Sequence, residues 1–440
     1  MSSRKRPKPA AARKRPAIRE QLFVNAAQIV TATGALGARR GAEMNELLVL
    51  REGAVMTRGD TIVQMGPRRE LQKEFPRAAR VDCHGGVLTP ALVDSHTHAV
   101  FGAPRAAEHE MRAAGLDYME IARRGGGIHA SVRDVRGRGE AELLGLARAR
   151  LRRLASFGVG TIEVKSGYGL TLQDELKLLR VIQKLALELP VRIVPTFLGA
   201  HEIPLEHRET AARRREYIDT VIREMIPRVA RERLAVFADV FCETGVYTVA
   251  ESREILLAAR AAGLKLKLHA DELTSSGGAE LAAEIAASSA DHLAAISDNG
   301  IRALSGTGTV ATLLPSTMLF LGKASQAPAR RMIEAGLPIA LATDFNPGTS
   351  PTVSLPLVMT LGVSQLRLTA AETITAATIN GAAALGMAGE VGRIAPNYSA
   401  DLALFDVEDY RELPYWLGAR VCRALWTRGK ACDVHDLDVT

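Results

Sequence analysis

Residues 90–98 read PALVDSHTH, an apolar run that ends in polar residues. This pattern is typical of a buried strand whose last side chains reach an open edge of a sheet. His96 and His98 stand two positions apart, so on an extended strand both imidazoles point to the same side. Two imidazoles on one side can share a metal ion. The stretch therefore predicts a buried strand with a metal-binding pair at its carboxyl end.

Seven further apolar runs follow this strand, and amphipathic helical patterns separate them. Alternating strands and helices indicate a parallel sheet built from βα units, and eight strands close a barrel. We therefore predict an α/β fold with a (β/α)8 TIM-like barrel. The seven further runs are GTIEVKSGYG (160–169), VRIVPTFLGAH (191–201), VFADVFCE (236–243), LKLKLHADE (264–272), SADHL (289–293), TVATLLP (309–315) and PIALATDFNPG (338–348).

Short apolar pieces broken by Gly, Asn and Asp lie on both sides of the barrel region and indicate small antiparallel β structure. The two flanks are expected to meet in one small composite β-sandwich domain. We predict that residues 21–88 and 391–440 form this domain, that residues 89–390 form the barrel, and that residues 1–20 are a disordered basic tail.

The basic charge of the chain is concentrated in that tail. Residues 1–20 carry eight Lys or Arg and one Glu, which accounts for the whole formal net charge of +7. Pro and Ala lie between the charges, which favours a solubilising tail over one that binds polyanions nonspecifically. We therefore expect no specific nucleic-acid partner.

The apolar runs and the cysteines bear on where the protein works. No run approaches the ~20 apolar residues that span a bilayer, and no apolar signal core follows the basic N-terminus. The four cysteines form no C-x-x-C pair, so reduced and packed thiols fit best. We expect a cytoplasmic homodimer without a membrane partner.

Five of the ten histidines fall at the ends of predicted strands, where barrel active sites are built. These are His96, His98, His201, His269 and His292. Asp344, at the end of the eighth strand, adds a carboxylate. Three imidazoles and a carboxylate suit zinc, and also ferrous and other first-row ions. Such an ion activates water for attack on a carbonyl or amidine carbon, so hydrolysis is the natural reaction class.

Taken alone, a histidine at a strand end is more often hydrogen-bonded packing than a ligand. The combination of a two-apart pair, a third histidine and an aspartate favours a functional site. Glu272, three residues after His269, and His292 could each manage protons beside the ion, and geometry must decide between them.

Several residues around the same mouth could hold a substrate. Arg105 follows His98 by seven residues, and its guanidinium could bind a carboxylate through two hydrogen bonds. Tyr168 lies among the glycines of KSGYG, which suggests close approach of the backbone to a ligand. Asn346, Gly348 and Thr349 follow Asp344, and a capping turn is their plainer interpretation.

At these residues the sequence resembles the amidohydrolase superfamily and, within it, the imidazolonepropionase family, over nearly the whole chain after residue 20. The wider superfamily shares PALVDSHTH, LHADE, ADHL and ADLALFD. Motifs more specific to the narrower family are HTHAVFGAPRAAEHE, RRGGGIHASV, EVKSGYGL, PTFLGAHEIP, DVFCETGVY and ATDFNPGTSP.

The resemblance implies an enzyme of histidine degradation that hydrolyses 4-imidazolone-5-propanoate to N-formimidoyl-L-glutamate. It implies that one zinc or iron ion is held by His96, His98, His269 and Asp344, and that Arg105 holds the propanoate carboxylate. It further implies a substrate or product site lined by Tyr168, His201, Glu272, Asn346, Gly348 and Thr349.

The resemblance also implies roles in proton transfer. His292, together with Asp344, would orient or deprotonate the attacking water, while Glu272 contacts the ring. Dinuclear relatives bridge two metals with a carboxylated lysine that ends the fourth strand. Here that strand ends in FCETG, and Lys165 ends the second strand instead, so a single ion is expected.

Two other functions are compatible with parts of this pattern. A mononuclear deaminase of a guanine-like or cytosine-like ring would use the same ligands and differ in its substrate anchor. A noncatalytic protein that kept the barrel and lost the chemistry is disfavoured, because every proposed ligand is present, although fold alone never fixes function.

Overall fold

A computed structural model describes residues 19–116, 120–121 and 124–433. Nearly all of the predicted basic tail lies outside the described residues. Seven strands precede the barrel: β1 (Glu20–Val24), β2 (Gln28–Ala32), β3 (Leu47–Leu50), β4 (Gly53–Arg58), β5 (Thr61–Pro67), β6 (Ala79–Asp82) and β7 (Val87–Pro90).

The eight predicted barrel strands are all present. They are β8 (Leu92–Asp94), β9 (Val159–Lys165), β10 (Arg192–Ala200), β11 (Phe237–Cys242), β12 (Lys265–Ala270), β13 (Ser289–His292), β14 (Val310–Leu313) and β15 (Ile339–Leu341). Three strands follow them: β16 (Leu402–Phe405), β17 (Cys422–Thr427) and β18 (Lys430–Cys432).

Helices cover the outside of the barrel and form its connections. The longest starts where the Thr171 hydroxyl accepts a hydrogen bond from the Asp174 amide, at 3.1 Å. Among the described residues, the α-helices are Arg68–Glu74, Ala106–Ala113, Ile128–Gly137, Glu140–Ala155, Leu172–Glu188, Ala211–Thr220, Ile226–Arg231, Val249–Ala261, Gly278–Glu284, Asp298–Ser305, Pro315–Phe320, Ala329–Glu334, Leu355–Ser364, Ala370–Thr375 and Gly381–Ala384. Two π-helical turns, Val221–Met225 and Ala376–Asn380, and three 3-10 turns, Gly41–Asn45, Leu205–His207 and Tyr410–Glu412, complete the set.

The flanking strands form two sheets, in the orders β5-β4-β1-β6 and β18-β17-β16-β7-β2-β3. The second sheet joins the two ends of the chain, because β16 pairs with β7. Phe23 and Trp426 contact edge to face, with ring centroids 5.0 Å apart, in the shared core. The composite β domain predicted from the sequence is therefore confirmed, while its boundaries at residues 88 and 390 stay a prediction.

The flanking strands pair mostly antiparallel, as predicted, but two pairs in the N-terminal flank are parallel. β1 pairs with β6 and β2 pairs with β7 in parallel. Parallel neighbours need a long crossover connection, and here the chain makes strands β2 to β5 and the helix Arg68–Glu74 before it returns beside β1. Such distant pairing leaves no local pattern in the sequence.

The barrel sheet runs in the order β15-β14-β13-β12-β11-β10-β9-β8, with every neighbouring pair parallel. Its two ends meet just beyond β8 and β15, where Thr97 bridges Phe345. There the His98 amide donates to the Phe345 carbonyl at 2.9 Å, and the Asp344 amide donates to the His96 carbonyl at 3.0 Å. The segments that carry His96, His98 and Asp344 thus also close the barrel.

Two further expectations concern the chain as a whole. Within the described ranges, no helix is long and apolar enough to cross a membrane. The four cysteines are free and buried, as predicted for packed thiols.

Candidate active site

Five histidines and one aspartate meet at the carboxyl end of the barrel. We call this set the histidine cluster: His96, His98, His201, His269, His292 and Asp344. Each member is buried, with at most 9% of its surface exposed. Three overlapping triplets have all their ligand atoms within 4.8 Å of one another: His96, His269 and His292; His98, His201 and His269; and His96, His98 and Asp344.

The four predicted ligands lie side by side in this cluster. The Nε2 atoms of His96 and His98 are 3.3 Å apart, and they lie 3.5 Å and 3.4 Å from Oδ1 of Asp344. The ring of His269 is centred 4.6 Å from that of His96. In the described part of the chain, Nε2 of His269 has no hydrogen-bond partner although it is buried. Three imidazoles and one carboxylate with an open nitrogen fit a divalent transition metal.

The protonation states also suit ligands. Burial lowers the pKa of His96 well below its ordinary value and lowers the pKa of His98, so both rings are neutral and keep a lone pair. Burial by itself would raise the pKa of Asp344, but hydrogen bonding to His98 and the nearby His292 bring it down to about 2. Asp344 is therefore an ionised carboxylate beside the neutral rings of His96 and His98.

The backbone is strained at two members of the histidine cluster. Asp344 has φ of 51° and His292 has φ of 79°, in the left-handed region that residues with a Cβ seldom adopt. For Asp344 the strain is maintained by the bonds that close the barrel and by the Thr317 hydroxyl, which donates to Oδ2 at 2.6 Å. Such strain tends to collect at functional sites.

Two buried carboxylates orient two of the imidazoles from behind. Nδ1 of His96 lies 2.6 Å from Oδ2 of Asp291, and Nδ1 of His269 lies 3.1 Å from Oδ2 of Asp239. A carboxylate at Nδ1 fixes the ring orientation and leaves Nε2 to face the centre of the cluster. The arrangement favours metal binding through Nε2 in both residues.

Two buried lysines hold those carboxylates in place. Nζ of Lys165 lies 2.7 Å from both Asp239 and Glu163, and Nζ of Lys267 lies 3.5 Å from Asp291. Burial opposes the charge on Lys165, but Asp239 and Glu163 raise its pKa above the ordinary value. We call Glu163, Lys165, Asp239, Lys267 and Asp291 the buried ion network. Its three carboxyl groups outnumber its two amino groups, and Asp344 adds a further negative charge, which suits a divalent cation.

The sequence interpretation missed four of these five residues and noted Lys165 only as standing outside the bridging position. A signal was present for two of them. Lys267 stands two positions before His269 on β12, so its side chain enters the barrel on the same face. Asp291 directly precedes His292 in a strand that is buried throughout. A charged residue in a fully buried strand needs a partner, and this could have indicated the network.

Glu272 and His292, the two candidates for proton transfer, lie beside each other. Oε2 of Glu272 is 3.6 Å from Nε2 of His292. Burial, together with the nearby charge of Asp344, raises the pKa of Glu272 to about 8, so its carboxyl group holds a proton at neutral pH. Burial lowers the pKa of His292, so that ring is neutral. The pair therefore offers one proton donor and one proton acceptor.

Tyr168 and His201 cover one side of the histidine cluster. The ring of His201 stacks on His98 at 5.0 Å, and the ring of Tyr168 is centred 5.4 Å from that of His201. Gly167 has φ of 107°, and a Cβ there would lie 2.9 Å from Nδ1 of His201. The glycine before Tyr168 is thus required by its backbone conformation and by the imidazole against it.

Arg105 lies at the start of the helix Ala106–Ala113, where it meets the loop that follows Asp344. Its amide donates to the Pro347 carbonyl at 3.1 Å, and its guanidinium occupies the space that a side chain at position 348 would fill. Gly348 therefore makes room for Arg105. We call Arg105, Glu108, Arg112 and Gly348 the arginine corner.

Asn346 and Thr349 bond mainly within their own loop. Oδ1 of Asn346 accepts from the amides of Gly348, at 2.8 Å, and Thr349, at 2.7 Å. Nδ2 of Asn346 donates to the Thr349 hydroxyl at 2.9 Å. The capping turn considered from the sequence is present, and it carries the chain from Asp344 to the arginine corner.

Comparison with known proteins agrees with this geometry. An amidohydrolase family model matches residues 102–430. The imidazolonepropionase of Solibacter usitatus is 43% identical over 412 residues, covering 93% of this chain and 98% of the relative. That of Symbiobacterium thermophilum is 46% identical over 413 residues, covering 93% and 96%. The chain belongs to the imidazolonepropionase family of amidohydrolases. A member of this family is a metal-dependent hydrolase that acts on a small molecule.

Solved structures of other amidohydrolases share the fold of this imidazolonepropionase family member. A zinc-bound adenosine deaminase from Xanthomonas campestris has a TM-score of 0.70 at 18% identity and covers 95% of this chain and 93% of its own. Molinate hydrolase has a TM-score of 0.68 at 16% identity, covering 96% and 97%. At these identities the likeness concerns the fold alone.

Proposed function

We propose that this chain hydrolyses the ring C–N bond of 4-imidazolone-5-propanoate to give N-formimidoyl-L-glutamate, a step in the degradation of histidine to glutamate. The observation that carries the proposal is the position of Arg105. Its guanidinium contacts the loop that leaves Asp344, so a carboxylate bound there would hold a short side chain with its ring directed toward the histidine cluster. The names of the relatives from Solibacter usitatus and Symbiobacterium thermophilum support the same substrate.

We propose further that one zinc or iron ion is held by His96, His98, His269 and Asp344. When bound, the ion supplies Lewis-acid activation of water and of the ring carbonyl. A single ion is supported by the surroundings of Lys165, whose Nζ is bound by Glu163 and Asp239. The bridging lysine of dinuclear relatives would end the fourth barrel strand, but here that strand is followed by Glu243. The Glu243 carboxylate accepts a hydrogen bond from the Leu273 amide at 2.9 Å.

The residues around the cluster would then divide the work of binding. Arg105 would hold the propanoate carboxylate, and Tyr168 with His201 would pack against the imidazolone ring. The loop residues Asn346, Gly348 and Thr349 would shape the end of the pocket for substrate and product. Because Asn346 is bonded within its loop, its role would be to keep that loop rigid rather than to donate to the substrate.

The reaction requires one proton to leave water and one to reach the departing nitrogen. Water adds to the ring carbonyl carbon, the bond from that carbon to the ring nitrogen breaks, and the nitrogen takes up a proton. The carbonyl carbon is then part of a carboxylic acid, which passes its proton to the basic amidine, so the product carries a carboxylate and a protonated formimidoyl group. In our proposal His292, with Asp344, orients the water and accepts its proton at Nε2. Glu272, which is protonated at neutral pH, donates to the nitrogen and also contacts the ring.

The activity is tested by following the loss of imidazolone absorbance when the protein meets substrate made freshly by urocanate hydratase. A stoichiometric metal content, measured on the same preparation, accompanies the expected turnover. The absence of turnover by metal-loaded protein would reject the proposed substrate. A deaminase of a guanine-like or cytosine-like ring would instead release ammonia from such a ring.

Substitution of Arg105 separates these two activities. Arg105→Ala removes a charged hydrogen-bond donor, and such bonds contribute about 1.5–3 kcal/mol, so KM for imidazolone propanoate should rise roughly 10- to 100-fold while kcat changes less. Arg148→Ala is the control, because Arg148 pairs with Glu188 on the outside of the barrel. If KM were unchanged in Arg105→Ala, Arg105 would not be the group that binds the substrate carboxylate.

We also propose a cytoplasmic homodimer that binds neither membranes nor a specific nucleic acid. Light scattering during gel filtration measures the mass directly, and a single monomeric species would reject the dimer. Removal of residues 1–18, which leaves Glu20 and the rest of β1 in place, should leave hydrolysis unchanged. Loss of activity after that removal would mean that the tail does more than solubilise the protein.

A further inference from the structure

Two guanidinium groups, and not only the one predicted from the sequence, converge on Gly348. Arg105 and Arg112 stand seven positions apart at the two ends of the helix Ala106–Ala113, so both side chains leave the same face of the helix. The guanidinium of Arg105 fills the space beside the Cα of Gly348. Nη2 of Arg112 donates to the carbonyl of Gly348 at 3.0 Å.

This corner carries more positive than negative charge. Glu108 lies between the two arginines on the helix, and its Oε2 is 3.6 Å from Nε of Arg105. Among the described residues, neither arginine has another carboxylate within 4.0 Å. Glu108 also accepts the Gly127 amide at 2.9 Å, so its negative charge is shared. The arginine corner is therefore left with one formal positive charge in excess.

Both guanidinium groups also retain hydrogen-bonding capacity. Nε of Arg105 and Nε of Arg112 are buried, and neither has a hydrogen-bond partner in the described part of the chain. Burial and the neighbouring Arg105 lower the pKa of Arg112 below its ordinary value, as expected for two like charges held close together. An anion at this corner would relieve the repulsion.

Arg112 is held firmly in this position. Its guanidinium carbon lies 5.1 Å from the ring centroid of Phe320, at cation–π distance. His109, one turn earlier on the helix, stacks against the same ring, with centroids 4.6 Å apart. Arg112 is thus fixed between an aromatic ring and the Gly348 carbonyl, and it contacts the loop that follows Asp344.

We propose that Arg112 is a positioning and specificity-determining residue: it holds Gly348 against Arg105 and supplies the second positive charge, through which the arginine corner favours an anionic substrate over a neutral one. This inference rests on the proposed function, because it assigns the anion to the substrate's propanoate group. Arg112 acts through Gly348 and Arg105, so its removal should weaken substrate binding and leave the chemical step nearly unchanged.

The test compares Arg112→Met and Arg112→Lys, in the metal-loaded enzyme, on two substrates. One is imidazolone propanoate, and the other is its carboxamide analogue, which has the same shape without the charge. For the carboxylate we expect KM about tenfold higher in Arg112→Met, with partial recovery in Arg112→Lys and with kcat changed less than about twofold. For the carboxamide we expect a smaller rise in KM, because the shift of Arg105 affects both substrates while the second positive charge acts only on the carboxylate. Arg148→Met controls for the loss of one positive charge.

The outcomes separate the inference from the proposed function. Equal losses on both substrates would show that Arg112 is only structural, and unchanged kinetics on the carboxylate would show that it has no role. Either result overturns the inference while the wild-type activity stands. If the metal-loaded wild type fails to hydrolyse imidazolone propanoate, the proposed function fails and the inference fails with it. Thermal unfolding of each variant shows whether the fold is intact.

Discussion

The histidine cluster and the arginine corner belong to one site but are built differently. In the histidine cluster every side chain is buried, and two imidazoles are bonded from behind by carboxylates that lysines hold in turn. In the arginine corner the side chain of Arg105 is 13% exposed, and Nε of each arginine has no hydrogen-bond partner among the described residues. The first region is therefore preorganised, while the second leaves part of its bonding capacity for a ligand.

The difference has a physical reason. A metal site requires several donors within a few tenths of an ångström, which only a rigid scaffold provides, so its ligands lie on strand ends that also close the barrel. Recognition of a carboxylate requires charge and hydrogen-bond donors that remain unsatisfied until the ligand arrives. Changes in the histidine cluster should therefore abolish metal binding and chemistry, whereas changes in the arginine corner should affect mainly substrate affinity.

The largest effect should follow from His269→Ala. This substitution removes the imidazole whose Nε2 is open in the histidine cluster. We expect loss of bound metal and a fall in kcat/KM of roughly a thousandfold or more, because water would no longer be activated. Metal content by mass spectrometry and kinetics measure both effects. His207→Ala, at a partly exposed histidine on the turn Leu205–His207, serves as the control and should retain metal and activity.

If His269→Ala kept stoichiometric metal and near wild-type kcat/KM, the proposed ligand set would be incorrect. Circular dichroism distinguishes loss of metal from loss of fold. If His269→Ala does not fold, the same measurements are made on His269→Gln, which keeps a polar side chain of similar length in the histidine cluster. That variant should fold and should still have lost most of its metal affinity.

A smaller effect should follow from Asp291→Asn, which changes the partner of a proposed ligand and not the ligand itself. The carboxylate lies 2.6 Å from Nδ1 of His96, and its loss should lower metal affinity roughly 10- to 100-fold. Competition with a chromogenic chelator measures this affinity. Asp298→Asn, at an exposed aspartate that pairs with Arg331, is the matched control. Equal affinities in both variants would mean that the buried ion network does not support the metal site.

The two regions also differ in how far the sequence predicted them. The four proposed ligands were identifiable because each ends an apolar run, and the ends of parallel strands meet at one edge. The buried ion network was missed because Glu163, Asp239 and Asp291 stand within strands, where apolar neighbours dominate the pattern. Their charges are explained only by partners on other strands, which the sequence does not place side by side.

Arg112 illustrates the same limit in the arginine corner. Arg105 drew attention because it follows the histidine pair closely, while Arg112 resembles any charged residue on a short helix. Its significance depends on the Gly348 carbonyl, 236 residues further along the chain. The parallel pairing of β1 with β6 was missed for a related reason, since the two strands are far apart in the sequence and no local pattern shows in which direction a distant partner runs.

The smallest effect should follow from Gly348→Ala, which tests whether the arginine corner can change without the histidine cluster. A Cβ at this position would overlap the guanidinium of Arg105 and force it to move. We expect KM for imidazolone propanoate to rise about tenfold, because one charged hydrogen bond to the substrate is weakened. The metal content should be unchanged. Gly308→Ala is a matched control, because a Cβ there would have no neighbour within 4 Å and neither glycine has a positive φ.

Loss of metal in Gly348→Ala would mean that the two regions are mechanically coupled through the loop that follows Asp344. Unchanged KM would mean that Arg105 can bind the carboxylate from a second position. A rise in KM with full metal content is the result that our comparison requires, because the bonds that hold Asp344 run to His96, Thr317 and Asn346, and Gly348 is linked to it only through Asn346. The loop can then shift at Gly348 while its first residue stays in the histidine cluster.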